Sequence, residues 1–209
     1  IGLASIDTLT MLAFSVLFTV LIGLPLGILL FLTSKGQLLQ NRTFYSAVSF
    51  IVNILRSVPF IILMIVLIPV TFKLVGTSLG VRGSIPPLVI GAAPFFARLV
   101  ETSLREVDRG VIEAAQSMGA SNWQIIRKVL LPESRPGLIA GITITTVTLV
   151  SYTAMSGVIG GGGLGDLAIR YGYQRFQTDV MLVTVGILIV LVQILQTFGD
   201  WLVLRFSRK

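Results

Sequence analysis

The chain has 209 residues, of which 54% are hydrophobic and only 12% charged, too few charges for a soluble domain, which carries roughly a quarter. It contains no Cys and no His, which excludes disulfides, thiolate metal sites and imidazole-based mechanisms. Its net charge of +7 does not point to nucleic acid, because the basic residues sort by side of a membrane instead of forming one patch.

Five stretches are long enough to cross a hydrocarbon core, which takes about 20 apolar residues. In lipid the backbone must satisfy its own polar groups, so all five are predicted as helices of one transmembrane domain, 1–209. The spans cover about 7–34, 43–72, 85–105, 134–160 and 178–205. The first is uncharged from Thr8 to Ser34, and no basic segment precedes it, so it does not have the form of a cleavable signal peptide. The chain begins at Ile1 and not at Met, so a few preceding residues are expected. The second span holds a single charge, Arg56, with Pro59 predicted to kink the helix just after it. The length of this span places Arg56 toward the cytoplasmic end, where a structural or inter-subunit contact is favoured over substrate binding. The third span runs past Arg98, Glu101 and Arg105, spaced for ion pairs on a helix surface. The fourth is uncharged from Pro136 to Gly165 and the fifth from Val180 to Gly199.

Lys35 and Arg42 follow the first span; Arg105, Arg109, Arg127, Lys128 and Arg135 lie between the third and fourth; Arg205, Arg208 and Lys209 end the chain. The opposite side holds Lys73, Arg82, Arg170 and Arg175. The positive-inside rule makes the loop 108–132 and the C-terminus cytoplasmic, and five spans then leave the N-terminus outside.

That loop reads as two short helices. Asp108 is suited to cap the first and Gly119 to end it in a left-handed turn. Ser121 followed three residues later by Gln124 is a capping box opening the second, and Leu131-Pro132 is predicted to stop it. Val111, Ala114, Ala115 and Met118 fall on one helical face, with Trp123, Ile126 and Leu130 as an apolar anchor after the turn. The small, polar Glu-Ala-Ala-Gln-Ser run suits a protein cleft better than lipid insertion; the plainer alternative is an amphipathic helix lying on the membrane surface.

No Lys is followed by Ser or Thr, so no Gly-Lys-Ser/Thr phosphate loop is present. The run Gly160 to Gly165 formally contains G-x-G-x-x-G, but it follows a transmembrane helix and reads as a sharp turn ending the fourth span. Along that span Gly137, Gly141, Thr145, Thr148, Tyr152 and then Met155 or Ser156 form a stripe. Its glycine end fits helix packing. Its far end is read as lining a path, where Met155 is either a dewetting gate or an ordinary packed methionine.

The cassette Glu113-Ala114-Ala115, then Gly119, then nine residues and Val129-Leu130-Leu131-Pro132, resembles the cytoplasmic coupling loop of ABC-importer permeases. The family usually has Ile where Val129 sits. The runs Arg56-Ser57-Val58-Pro59-Phe60 and Gly91-Ala92-Ala93-Pro94-Phe95, and the Gly162-Gly163-Leu164-Gly165 and Tyr171-Gly172-Tyr173 phrases, resemble the methionine-uptake branch. The resemblance covers essentially the whole chain. It implies an all-α membrane protein with the type I importer permease fold in a bacterial inner membrane. It implies no enzyme activity and no cofactor in this chain, since ATP is hydrolysed by a separate subunit. The implied partners are a second copy of the chain, two ATPase subunits, an external binding protein and membrane lipid, with no nucleic acid. Glu113, Ala114, Ala115, Met118, Gly119, Ala120 and Trp123 would couple to the ATPase; Pro59, Tyr152, Met155 and Ser156 would line the path or its gate. The alternatives are an importer of another amino acid or a phosphonate, and an ion-coupled transporter. The odd span count, the absence of inverted repeats and the scarcity of intramembrane acids oppose the latter.

Overall fold

The computed structural model describes residues 1–207; Arg208 and Lys209, counted above with the basic C-terminus, lie outside the described residues. Among the described residues the chain is helical and has no strand. Four helices are long and apolar enough to cross a membrane: α1 (Gly2–Thr33), a helix extending over Arg135–Ile159, and two more at Gly80–Arg105 and Thr178–Phe206. The second expected span differs. It is split into α2 (Arg42–Ser57) and α3 (Phe60–Val66), inclined 103° to each other, with α4 (Ile68–Val75) following. A kinked but continuous helix over 43–72 was expected, and Pro59 explains the full break. It has no N–H to continue the ladder, and its ring pushes Val58 into extended backbone (φ −78°, ψ 126°), so α2 ends and α3 starts anew. Counting the bent pair as one, five elements can cross a membrane.

The helix at Gly80–Arg105 is α5. After it come α6 (Arg109–Ser117), α7 (Asn122–Ile125), a π-helical turn (Ile126–Leu130) and α8 (Leu131–Glu133). Then α9 (Arg135–Ser156) leads through a short 3₁₀ turn to α10 (Gly163–Leu167), a second π-helical turn (Ala168–Tyr173) and α11 (Thr178–Phe206).

The central packing is α1 and α9 against α5. A Cβ added at Gly27 would lie 2.5 Å from the Ala97 carbonyl oxygen and from Val100 Cβ, so α1 and α5 meet almost backbone to backbone, which small residues allow in a membrane. Gly141 of α9 abuts Leu99 and Gly137 abuts Ser103, the packing role expected of that end of the stripe. By contrast α11 leaves Leu182, Ile189, Ile194 and Leu204 largely exposed, an apolar surface that lipid or another chain must cover. At the other end of α9, Gly160, Gly162 and Gly163 all have positive φ and fold the chain back sharply. The turn is pinned where the Leu164 N–H donates to Thr8 Oγ1 at 2.8 Å. Nearby, buried Asp166 pairs with Arg170, and that bond raises the Arg170 guanidinium further above its ordinary value.

Candidate functional site

Between α5 and α9 the chain builds a short helix fixed at both ends. The Asp108 side chain accepts from the Gly110 N–H at 2.6 Å, capping α6. At the other end Gly119 takes φ +78°; its N–H bonds Gln116 O at 2.9 Å and the Ala120 N–H bonds Ala115 O at 3.1 Å. This is the paired pattern of a Schellman cap, which needs a residue tolerant of the left-handed region. Ser121 and Gln124 then bond each other's backbone N–H reciprocally, the expected capping box.

The helix sits on the bundle through Ile112 and Ala115, which join Phe31 and Leu32 of α1, Val100 and Leu104 of α5, and Ile125, Ile126 and Leu130 in one buried cluster. Facing outward are Val111, Glu113, Ala114 and Met118, the last 82% exposed, with Trp123 at 67% after the turn. Of Val111, Ala114, Ala115 and Met118, expected on one helical face, Ala115 parts from the other three, which are exposed. Spaced three residues after Ile112, it shares the inward row and is only 5% exposed. The expected anchor of Trp123, Ile126 and Leu130 also divides: the two aliphatic residues face the core and Trp123 faces away. Ala120 is half-buried against the same cluster, and Glu113 forms an exposed ion pair with Arg109 at 3.0 Å.

Pro132 does not end the second helix as predicted. Leu131 keeps helical dihedrals (φ −65°, ψ −42°) and its N–H bonds Ile126 O, five residues back. The widened π turn leads the chain through the proline, which sits in the first turn of α8 where a missing N–H costs least. The break comes instead at Ser134 (ψ 1°).

Arg98, Glu101 and Arg105 were expected on a helix surface, but α2 covers Arg98 and Glu101, while the Arg105 side chain stays 44% exposed. Glu101 is 4% exposed; it accepts from Arg98 and from Arg105 at 2.6 Å each, and from the Tyr45 hydroxyl at 2.9 Å. Arg98 also donates to the Ser49 carbonyl at 3.2 Å and to Asn53 Oδ1 at 3.0 Å. Tyr45, Ser49 and Asn53 recur every fourth residue, so they form one polar row of α2 turned onto α5. Sequence reasoning missed this row; its spacing within an otherwise apolar span was the available signal.

The path candidates divide as well. Tyr152 stacks on Phe60, ring centroids 4.0 Å apart, and both line a cavity of about 120 Å³ with Arg56, Leu63, Gly91 and Phe95. Pro59 is exposed at the start of α3, and Met155 is exposed one turn beyond Tyr152. Ser156 is fully buried; its hydroxyl donates to Thr153 O at 2.7 Å and approaches Met11 Sδ. It is removed from the path set, because the side chains of Ser156 and Met155 leave α9 in different directions. Arg56 has no hydrogen bond or ion pair among the described residues.

A family model described as "binding-protein-dependent transport system inner membrane component" matches residues 23–209. The chain is 54% identical, over 99% of its length and 92% of the relative's, to the probable D-methionine transport system permease protein MetI of Vibrio cholerae. It is 56% identical to the methionine import system permease protein MetP of Bacillus subtilis, over 82% of this chain and 78% of that one. A solved inward-facing conformation of the MetNI methionine ABC transporter superposes with a TM-score of 0.95 at 49% identity, covering 97% of this chain and 94% of that chain.

Proposed function

Since the chain belongs to the family of binding-protein-dependent transport system inner membrane components, we propose that it is the membrane permease of an ATP-driven importer of methionine. Two copies form the translocation unit, and each presents α6 to a separate ATPase subunit that hydrolyses the nucleotide. An external binding protein delivers the substrate. The C-terminus and the loop carrying α6 face the cytoplasm and the N-terminus faces outward.

The observation that carries this reading is how α6 is mounted. It is too short to be a stable element alone, yet both ends are capped and its inner row is fused into the cluster that joins α1 and α5. An ATPase gripping Ala114, Met118 and Trp123 would therefore move the bundle and not merely a loop. Closure of the two ATPases rocks the two permease copies between outward-open and inward-open states. Tyr152, Met155 and Pro59 line the route, with the paired Met155 side chains as an apolar gate near the dimer axis. Near-full-length similarity to methionine permeases supports the substrate assignment.

Purification of the tagged chain from its native membrane, followed by identification of its companions, tests the proposal. An ATPase that co-purifies, and is lost when Glu113 and Gly119 are replaced, supports the coupling role; ATP-dependent methionine uptake after reconstitution with the binding protein supports the substrate. Recovery of the chain alone, catalysing flux without ATP, refutes both. Orientation is read separately. The chain has no cysteine, so a single Gln37→Cys introduced after α1 must react with an impermeant maleimide only from the cytoplasmic side.

A further inference from the structure

A second cavity, of about 450 Å³, opens where the end of α1, the start of α2 and the end of α5 converge, at the same end of the bundle as α6. Lys35, Arg42 and Arg105 bring three positive charges to its walls, with Gln40, Ser34 and Ser46 adding polar groups. Much of this polar capacity is free. Lys35, Arg42 and the Ser46 hydroxyl have no hydrogen bond or ion pair among the described residues. Arg105 commits only one guanidinium nitrogen, to Glu101 and, at the distance limit, to Tyr45. Glu101, the acid paired with Arg105, already accepts from Arg98, Arg105 and Tyr45, and none of the described residues lining the cavity is an acid.

The surroundings of the mouth are apolar. The i, i+4 row that starts at Ser46 continues up α2 with Phe50, 67% exposed, and Ile54, 48% exposed. Leu39 and Phe44 flank Arg42 and are exposed as well. A cationic pocket at the ends of the membrane-length helices α1 and α5 that gives way to an apolar track along α2 matches a molecule with a phosphate at one end and hydrocarbon at the other. Basic pockets between helices on the cytoplasmic side hold such headgroups.

We propose that this cavity binds the phosphate headgroup of an anionic phospholipid of the cytoplasmic leaflet, with an acyl chain lying along Phe50 and Ile54. Lys35 and Arg42 supply the charge that selects an anionic lipid over a zwitterionic one. The free side of Arg105 completes the pocket, which couples lipid occupancy to the network holding α2 on α5. The assignment to the cytoplasmic leaflet rests on the orientation proposed above, which the Gln37→Cys labelling tests independently.

The test is native mass spectrometry of the permease purified with its ATPase subunits in mild detergent, after incubation in nanodiscs of phosphatidylglycerol mixed into phosphatidylcholine. The wild-type protein is expected to retain phosphatidylglycerol, about one molecule per permease chain, and the double variant Lys35→Gln/Arg42→Gln to lose it. Arg205→Gln, a charge lost at the same end of α11, should retain it. The exchange Lys35→Arg/Arg42→Lys keeps the charge and is expected to keep the lipid, which separates lost charge from lost fold. Equal retention by the wild type and the glutamine double variant overturns the proposal, as does preference for phosphatidylcholine. A second arm compares the heat stability of detergent-purified protein with phosphatidylglycerol or inorganic phosphate alone. Stabilisation by lipid only supports the proposal; equal stabilisation by phosphate makes this a free-anion site and overturns it.

Discussion

Neighbouring alanines of α6 separate docking from packing. Ala115 is 5% exposed and belongs to the buried cluster that includes Ile112, Leu104, Ile125 and Leu130, whereas Ala114 faces outward. Ala115→Leu forces an isobutyl group into a filled site, and overpacking of this kind costs about 1–3 kcal/mol. For a chain of this size each kcal/mol moves the melting temperature by about 2–4 °C. Ala114→Leu adds the same volume on the bare side, where surface changes stay within about 0.5 kcal/mol. The expected pattern is therefore crossed. Ala115→Leu should melt at lower temperature, while Ala114→Leu should melt as the wild type does yet lose the ATPase, because the added bulk stands in the docking surface. Melting is followed on the detergent-purified permease alone, and ATPase recovery on the tagged complex. Equal melting of the two variants would refute the inward placement of Ala115. Full ATPase recovery and uptake with Ala114→Leu would refute the docking face.

Gly119→Ala places a Cβ in the left-handed region at φ +78°, costing about 1–2 kcal/mol, and should reduce ATPase recovery more than bulk melting; unchanged recovery would mean the turn geometry is unimportant. Glu101→Gln leaves the largely buried Arg98 and the half-exposed Arg105 without their shared carboxylate, and breaking the buried Arg98 pair costs about 3–5 kcal/mol. The expected readout is earlier proteolysis within α2, and a protease pattern matching the wild type would contradict a tightly held network. Met155→Ala is expected to open the apolar constriction and raise basal ATP hydrolysis or leak; uptake and basal hydrolysis both at wild-type levels would remove Met155 from the gate. Arg109→Ala breaks an exposed ion pair, worth about 0.2–1 kcal/mol, so its melting temperature should shift by no more than a few degrees.

Much of this protein is one-dimensional information. Apolar runs of membrane length, the lack of Cys and His and the sided distribution of Lys and Arg are properties of the chain itself, and they determined an all-α membrane protein. Caps were legible for the same reason. Asp108, Gly119 and the Ser121–Gln124 box act on backbone groups within a few residues, so no distant contact is needed to place them. Direction was not legible. Ala114 and Ala115 are adjacent and chemically identical, and only the position of the α1–α5 cluster decides which is buried. The 103° break at Pro59 and the π turn that carries the chain through Pro132 show one residue type with two outcomes. Proline removes the same N–H in both places, and the packing around it decides whether the helix breaks or widens. The Glu101 network likewise needed tertiary structure, because its charges lie on α5 while their hydrogen-bond partners Tyr45, Ser49 and Asn53 lie on α2, 45 to 56 positions away.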